Sequence, residues 1–244
     1  MTYCLAISLY EGLVFASDSR TNAGVDYVTT ISKMHVFTPA PDRIFVVLTA
    51  GNLATTQEVL HRLRRDLDAA EIAESLRWVR YLFEAADYLG RLSCEVQLAH
   101  MQAMQRAGFS SEASFIIGGQ IRGQAPGLFL VYPQGNYISA SAETPYLQIG
   151  ETKYGKPALD RVVEPGLTLE DGARLALVSL DATMRSNISV GPPLEVAICP
   201  RDGFAIAHYL NLKGDSPFYA EVRERWQEGL RRAFQLLPRF DWET

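Results

Sequence analysis

Residues 2–20 read TYCLAISLYEGLVFASDSR. Two apolar runs, 3–9 and 13–18, flank the turn-forming pair Glu11-Gly12, the pattern of a β-hairpin. Both runs are almost continuously apolar, so the sheet they open is expected to be covered on both faces. The hairpin has a chemical consequence. It folds Ala16-Ser17-Asp18-Ser19-Arg20 back to the start of the first strand, so Asp18 should lie near Thr2.

Threonine at position 2 is a candidate nucleophile. Cells commonly remove Met before a small residue. Thr2 would then carry a hydroxyl and an α-amine on one residue, and an amine of ordinary pKa ~7.7–8.0 serves as a base near neutral pH without a histidine. Lys33, reached by the next hairpin, could contact both Thr2 and Asp18. Its charge would lower the pKa of the hydroxyl and the amine, and Asp18 would hold it charged and oriented. The bland readings are a surface Asp at a strand end, a solvated Lys, and a Thr after Met of the kind that opens many proteins.

Further along, Ile44–Thr49 reads as a buried strand ending at Ala50-Gly51. Asn52 can cap a helix with an apolar stripe at Leu53, Val59, Leu60, Leu63 and Leu67. A longer helical stretch covers about 72–107, with Gly90 able to bend or divide it. Strands are expected at 113–117, 128–132, 137–139 and 147–150, helices at 156–162 and 169–184, strands at 194–199 and 204–209, and a last helix at 221–236. Strands come in sequential hairpins and helices in pairs. A doubly wound parallel fold would alternate strictly. The order fits two stacked, mainly antiparallel sheets with helix pairs outside, in one domain spanning 1–244.

Composition narrows the class. The 244 residues are 48% hydrophobic and 21% charged, with a formal net charge of −5. That is a globular composition and argues against a nucleic-acid partner, which needs a basic face. No apolar run approaches the ~20 residues that cross a bilayer. The opening MTYCLAISLYEG has neither a basic leader nor a cleavage site, so the expected location is the cytoplasm. Cys4, Cys94 and Cys199 are odd in number and show no metal-type pairing, and are expected as free thiols in apolar surroundings. His35, His61, His100 and His208 are scattered. G-x-S-x-G, H-E-x-x-H, Walker and dinucleotide signatures are absent.

Taken in order, Thr2, Ala16–Arg20 (ASDSR), Ile31-Ser32-Lys33 and Leu48-Thr49-Ala50-Gly51 resemble the proteasome β-subunit family. So do Ala113–Gly119 (ASFIIGG), Leu128–Gly135 (LFLVYPQG), Ile149-Gly150 with Ala158-Leu159, and the helix Leu175–Met184 running into Ser186–Gly191 (SNISVG). The resemblance covers roughly residues 2–210. The ASDSRTNAG stretch, the long second helix and the C-terminal helix look most like the Anbu group, a proteasome-related family of bacteria. The resemblance implies the four-layer αββα fold of N-terminal-nucleophile hydrolases and threonine-type hydrolysis of peptide or amide bonds without metal or organic cofactor. It implies that Thr2 is nucleophile and base, that Asp18 and Lys33 tune it, that the Gly51 N–H meets the oxyanion, and that Ser189 stands near the threonine amine. It also implies a homo-oligomer, a ring or a spiral, with contacts on the helix faces of 72–107 and 217–236. An ATPase partner is not visible in the sequence.

Two positions depart from the pattern. Ser186 stands where those subunits have an aspartate supporting the amine, and Glu151 where they have a serine. Asn187 or Asp181 are the residues available to compensate. Thr49 and Leu53, which flank Gly51, are candidates for the pocket wall. Two other functions stay open: a non-catalytic assembly protein on the same fold, and an amidase acting on a small molecule or modified peptide.

Overall fold

The computed structural model describes residues 1–22, 28–69 and 74–243. The hairpin β1 (Tyr3–Leu9) and β2 (Gly12–Asp18) forms as expected, with Cys4 opposite Ser17 and Leu9 opposite Gly12. It lies in a five-stranded sheet with β10 (Tyr146–Gly150), β11 (Leu194–Pro200) and β12 (His208–Leu212), in the order β10-β1-β2-β11-β12. A second five-stranded sheet runs β5 (Met34–Ala40), β6 (Arg43–Gly51), β7 (Ala113–Ile121), β8 (Gly127–Val131) and β9 (Tyr137–Ser139). All pairings in both sheets are antiparallel.

The side-chain alternation of a strand explains the layers. Tyr3, Leu5, Ile7, Val14 and Ala16 point from the first sheet to one helical layer, where they pack with Leu175, Ala176 and Leu180. That layer holds α3 (Lys156–Val162), α4 (Leu169–Ser186) and α5 (Pro217–Gln235). Cys4, Ala6, Leu13 and Phe15 point the other way and meet Ile44, Val46, Leu48 and Ile116 of the second sheet. The opposite face of that sheet, Phe45, Val47, Phe115 and Ile117, packs on α1 (Leu53–Asp68) and α2 (Leu82–Arg106). The result is an αββα sandwich. The continuous apolar runs of β1 and β2 reflect this burial on both faces.

Local signals fix the helix starts. Asn52 caps α1 by accepting from the Thr55 N–H at 3.1 Å. Ser216 caps α5 with Pro217 in its first turn, so this helix starts before the expected residue 221. The expected long helix over 72–107 is helical only from Leu82. Residues 72 and 73 lie outside the described residues, and 74–81 form turns and bends. Gly90 does not divide α2. It lets the helix touch the 133–136 turn, since a Cβ there would overlap the Gly135 carbonyl oxygen. The expected strand at 204–209 begins instead at His208, because Asp202 and Phe204 take positive φ (61° and 50°) and lengthen the turn. β3 (Arg20–Asn22), β4 (Val28–Thr30) and β5 were not foreseen. Cys4 and Cys199 are buried, as expected, whereas Cys94 is only partly covered. Among the described residues no helix is long and apolar enough to cross a membrane.

Replacing Gly90 by Ala should force α2 off the Gly135 backbone. We expect a loss of about 2 kcal/mol, read as a lower urea midpoint with an unchanged slope. An undiminished midpoint would mean that the close approach does not constrain the helix.

Candidate active site

Thr2 precedes β1 directly and is held by its backbone. The Glu151 N–H donates to the Thr2 carbonyl at 2.7 Å. Gly150, at φ 85°, leaves room for that carbonyl, which a Cβ would overlap. The next residue is anchored from both sides. The Tyr3 hydroxyl, deep in the helix-facing core, bonds the Ser179 Oγ of α4 at 2.7 Å, and burial pushes it up to about 12. The Tyr3 N–H donates to Asp18 Oδ1 at 3.0 Å.

Asp18 ends β2 with no solvent exposure. Its carboxylate receives Lys33 Nζ at 2.6 Å, the Tyr3 N–H, and the Gly191 N–H at 3.2 Å. Burial pushes the carboxyl up, and the Lys33 charge with these hydrogen bonds opposes that. Lys33, itself buried, also donates to the Arg20 carbonyl at 2.7 Å. The expected Asp18–Lys33 pairing is therefore present, one residue from Thr2. The Lys33 carbonyl accepts the Thr49 N–H at 3.0 Å, which ties Lys33 to the end of β6. Gly51 closes that strand at φ 108°, where a Cβ would overlap the Glu112 carbonyl oxygen. Of its neighbours, Thr49 is buried and Leu53 partly exposed.

The loop after α4 completes the cluster. Asn187 Oδ1 accepts the Ser189 N–H at 3.0 Å, and its Nδ2 donates to Glu151 at 3.1 Å. Arg20 Nη1 donates to the Ile188 carbonyl at 2.7 Å, and the Ser19 and Arg20 N–H groups donate to the Gly191 carbonyl. So Glu151, one of the departures from the family pattern, is joined to Asn187, one of the two residues weighed as compensation. Asp181 faces elsewhere. It accepts from the Tyr219 hydroxyl at 3.0 Å and from Arg185 at 2.8 Å, tying α4 to α5. Ser186 is exposed at the end of α4.

One polar residue escaped the sequence reading. Glu195 is buried within β11, where it accepts from the Ser17, Ser19, Ser32 and Tyr209 hydroxyls. A lone acid in the apolar run LEVAIC was its only sequence signal. No histidine bonds these groups among the described residues: His100 pairs with Glu58, and burial lowers His35 to about 4. Among the described residues, no group of three or more His, Cys, Asp or Glu is arranged to hold a metal ion. Ala23 and Gly24, of the stretch that resembles the Anbu group, lie outside the described residues.

The proteasome subunit family matches residues 2–199. Among solved structures, Anbu (ancestral beta-subunit) from Yersinia bercovieri is 43% identical over 100% of both chains, with a TM-score of 0.91. The chain belongs to the proteasome family, with its structural likeness in the Anbu group. A second structure, a helical assembly of the Anbu complex from Pseudomonas aeruginosa, is 41% identical over 99% of each chain, with a TM-score of 0.91. A third, an Anbu (Gly-1) mutant from Hyphomicrobium sp. strain MC1, is 39% identical over 99% of this chain and 100% of that one, with a TM-score of 0.90. No curated protein matches the chain. Its membership accounts for the two-sheet sandwich and for the order of the sequence blocks that the sandwich brings together.

The buried pair gives a stability test. In Lys33→Met, Asp18 keeps two amide donors but loses its counter-charge. We expect a loss of about 3–5 kcal/mol near neutral pH. In the variant the folded Asp18 pKa stays above its unfolded value, so the penalty is complete above the folded pKa and fades as pH falls toward the unfolded one. Urea denaturation at several pH values would show the gap to the parent chain narrowing in acid. A pH-independent gap would contradict the assignment.

Proposed function

We propose that residues 1–244 act as one unit, a threonine-type N-terminal-nucleophile hydrolase of the bacterial cytoplasm that cleaves peptide or amide bonds. The observation that carries this reading is the buried Asp18–Lys33 pair, bonded to the backbone one residue from Thr2. With Met1 removed, the Thr2 α-amine takes the proton of its own hydroxyl, directly or through a water, as Oγ1 attacks the carbonyl carbon. The Lys33 ammonium lowers the cost of the developing alkoxide, and Asp18 fixes that ammonium. The Gly51 N–H meets the oxyanion. The tetrahedral intermediate collapses as the C–N bond breaks and the leaving amine takes the proton. A Thr2 ester remains, and water, deprotonated by the same amine, releases the acid. We assign Ser189, whose N–H is held by Asn187, to support of the amine. No step requires a metal or an organic cofactor.

The Pseudomonas aeruginosa relative is described as a helical assembly, and we extend self-association to this chain. Leu230, Phe234 and Leu237, exposed at the end of α5 and just beyond it, support such contacts. A second substrate class, small amides, is favoured by one observation: Glu151, a departure from the family pattern, accepts from Asn187 of the loop after α4.

Two measurements test the reading together. Intact mass should show loss of Met1, and the processed chain should hydrolyse a small amide or a peptide. Thr2→Ala should keep the fold and lose turnover by several orders of magnitude. Persistent hydrolysis by Thr2→Ala would remove Thr2 as nucleophile. Met1 retained on an inactive chain would favour the assembly-protein reading.

A further inference from the structure

Glu195 is 2% exposed and receives four hydroxyls. Ser17 Oγ lies 3.3 Å and Ser19 Oγ 3.1 Å from Oε2. Ser32 Oγ lies 2.9 and 2.8 Å from the two carboxylate oxygens, and the Tyr209 hydroxyl bonds Oε1. Four donors on one buried carboxyl suit its acceptor-only, ionised form. No Lys or Arg bridges to it among the described residues. Ordinary fold stabilisation does not explain this choice, because a buried charge without a cation costs more than an apolar residue of the same size.

The identity of the donors points to a role. Ser17 and Ser19 flank Asp18 on both sides, and Ser32 immediately precedes Lys33. One carboxylate on β11 thus grips the two segments whose side chains meet at 2.6 Å. The β11–β2 register supports the grip, with Glu195 opposite Ser17 and Leu194 opposite Asp18. Lys33, Asp18 and Glu195 all act on the thiol of Cys4, which burial above all pushes upward.

Building on the proposed hydrolase, we propose that Glu195 is a positioning residue for the reaction: its carboxylate locks Ser32 against Ser17 and Ser19, and so holds Lys33 in register with Asp18 and Thr2. Around this cluster the charged or titratable groups are Arg20 on β3, whose carbonyl accepts from Lys33, Cys4 on β1 and His35 on β5. Glu195 makes no ion pair with Lys33, whose acid partner is Asp18, so its hold on Lys33 runs through Ser32.

The test uses the full processed chain and 4-nitrophenyl acetate as probe. Thr2 Oγ1 bonds the acetyl carbon as its proton passes to the Thr2 amine, the ester C–O bond breaks and nitrophenolate leaves; the product is read as one acetyl on the N-terminal peptide by mass, which separates it from acetylated lysines. Glu195→Gln keeps the shape, removes the charge and turns one of the two acceptor oxygens into an amide donor. Ser32→Ala keeps the charge and cuts the tie. Each should slow Thr2 acetylation ~10-fold, within the range for residues coupled in one network. Glu195→Gln should not slow a Lys33→Ala chain further. In Glu195→Gln alone, the Lys33 signal among the ¹³Cε signals of the four lysines should leave its parent position while the other three stay in place, a local change that general loss of packing would not produce. Acetylation of Glu195→Gln at the parent rate, or an equal slowing with and without Lys33, would overturn the role. Should the parent chain itself resist acetylation, the hydrolase reading fails instead. The Lys33 ¹³Cε signal then decides for Glu195 alone, and a signal at the parent position overturns its role.

Discussion

A carboxylate sealed from water must be met by donors, and Asp18 collects them from three separate segments: Lys33 at the entry to β5, the Tyr3 amide in β1, and the Gly191 amide before β11. Each bond crosses between parts of the chain far apart in sequence. Losing any one would leave a buried charge short of a partner, a cost well above that of a surface contact. Asp18 therefore acts as the junction at which the start of the chain, the Lys33 segment and the loop after α4 are brought into fixed relation. The geometry around Thr2 follows from that junction.

The surrounding sandwich makes such a junction tolerable. Cys4, Phe15, Ile44 and Ile116 fill the space between the sheets, while Tyr3, Leu5 and Val14 fill the space beneath α4. A β-strand buried on both faces shifts only at the expense of its whole side-chain alternation. β1 and β2 cannot slip, so Tyr3 stays opposite the end of β2. The Tyr3–Ser179 bond adds a lateral anchor on α4, and the Glu151 N–H a third on the Thr2 carbonyl. A residue at the chain's start, where fraying is the default, is thus fixed by its neighbours' backbone.

The parts of this arrangement that the sequence disclosed are those governed by short range. The β1–β2 hairpin placed Asp18 near residue 2 because a two-residue turn dictates register. Asn52 declared itself as a cap. Lys33 was reachable as the lysine brought up by the next hairpin, and its bond to Asp18 is present; Gly51 and Ser189 entered only through the family resemblance, which carries long-range information that a single sequence lacks. Glu195 was not reachable: its three serine donors lie more than 160 residues away, and nothing within LEVAIC distinguishes a buried acid from an edge residue. The strands β3 and β4 are three residues each and polar, so no alternation could announce them. β12 was displaced because its turn runs on through Phe204, a bulky residue at positive φ that nothing in the sequence announces, beyond Asp202, whose type does favour that region.

The segments around Thr2 carry several charges. Asp18, Glu195 and Glu151 stand among them, with Lys33 beside Asp18. Two of those acids are already engaged in ways that blunt their field: Asp18 by a direct ion pair, Glu195 by four hydroxyl dipoles. Glu151 is partly exposed, where water screens it. The ion pair that blunts Asp18 blunts the Lys33 ammonium equally, so neither acts on its surroundings as a free charge. The hydroxyl cluster on Glu195 therefore orders the Lys33 segment as well as satisfying a buried acid. It keeps a negative charge close enough to order the lysine segment without drawing the lysine from Asp18.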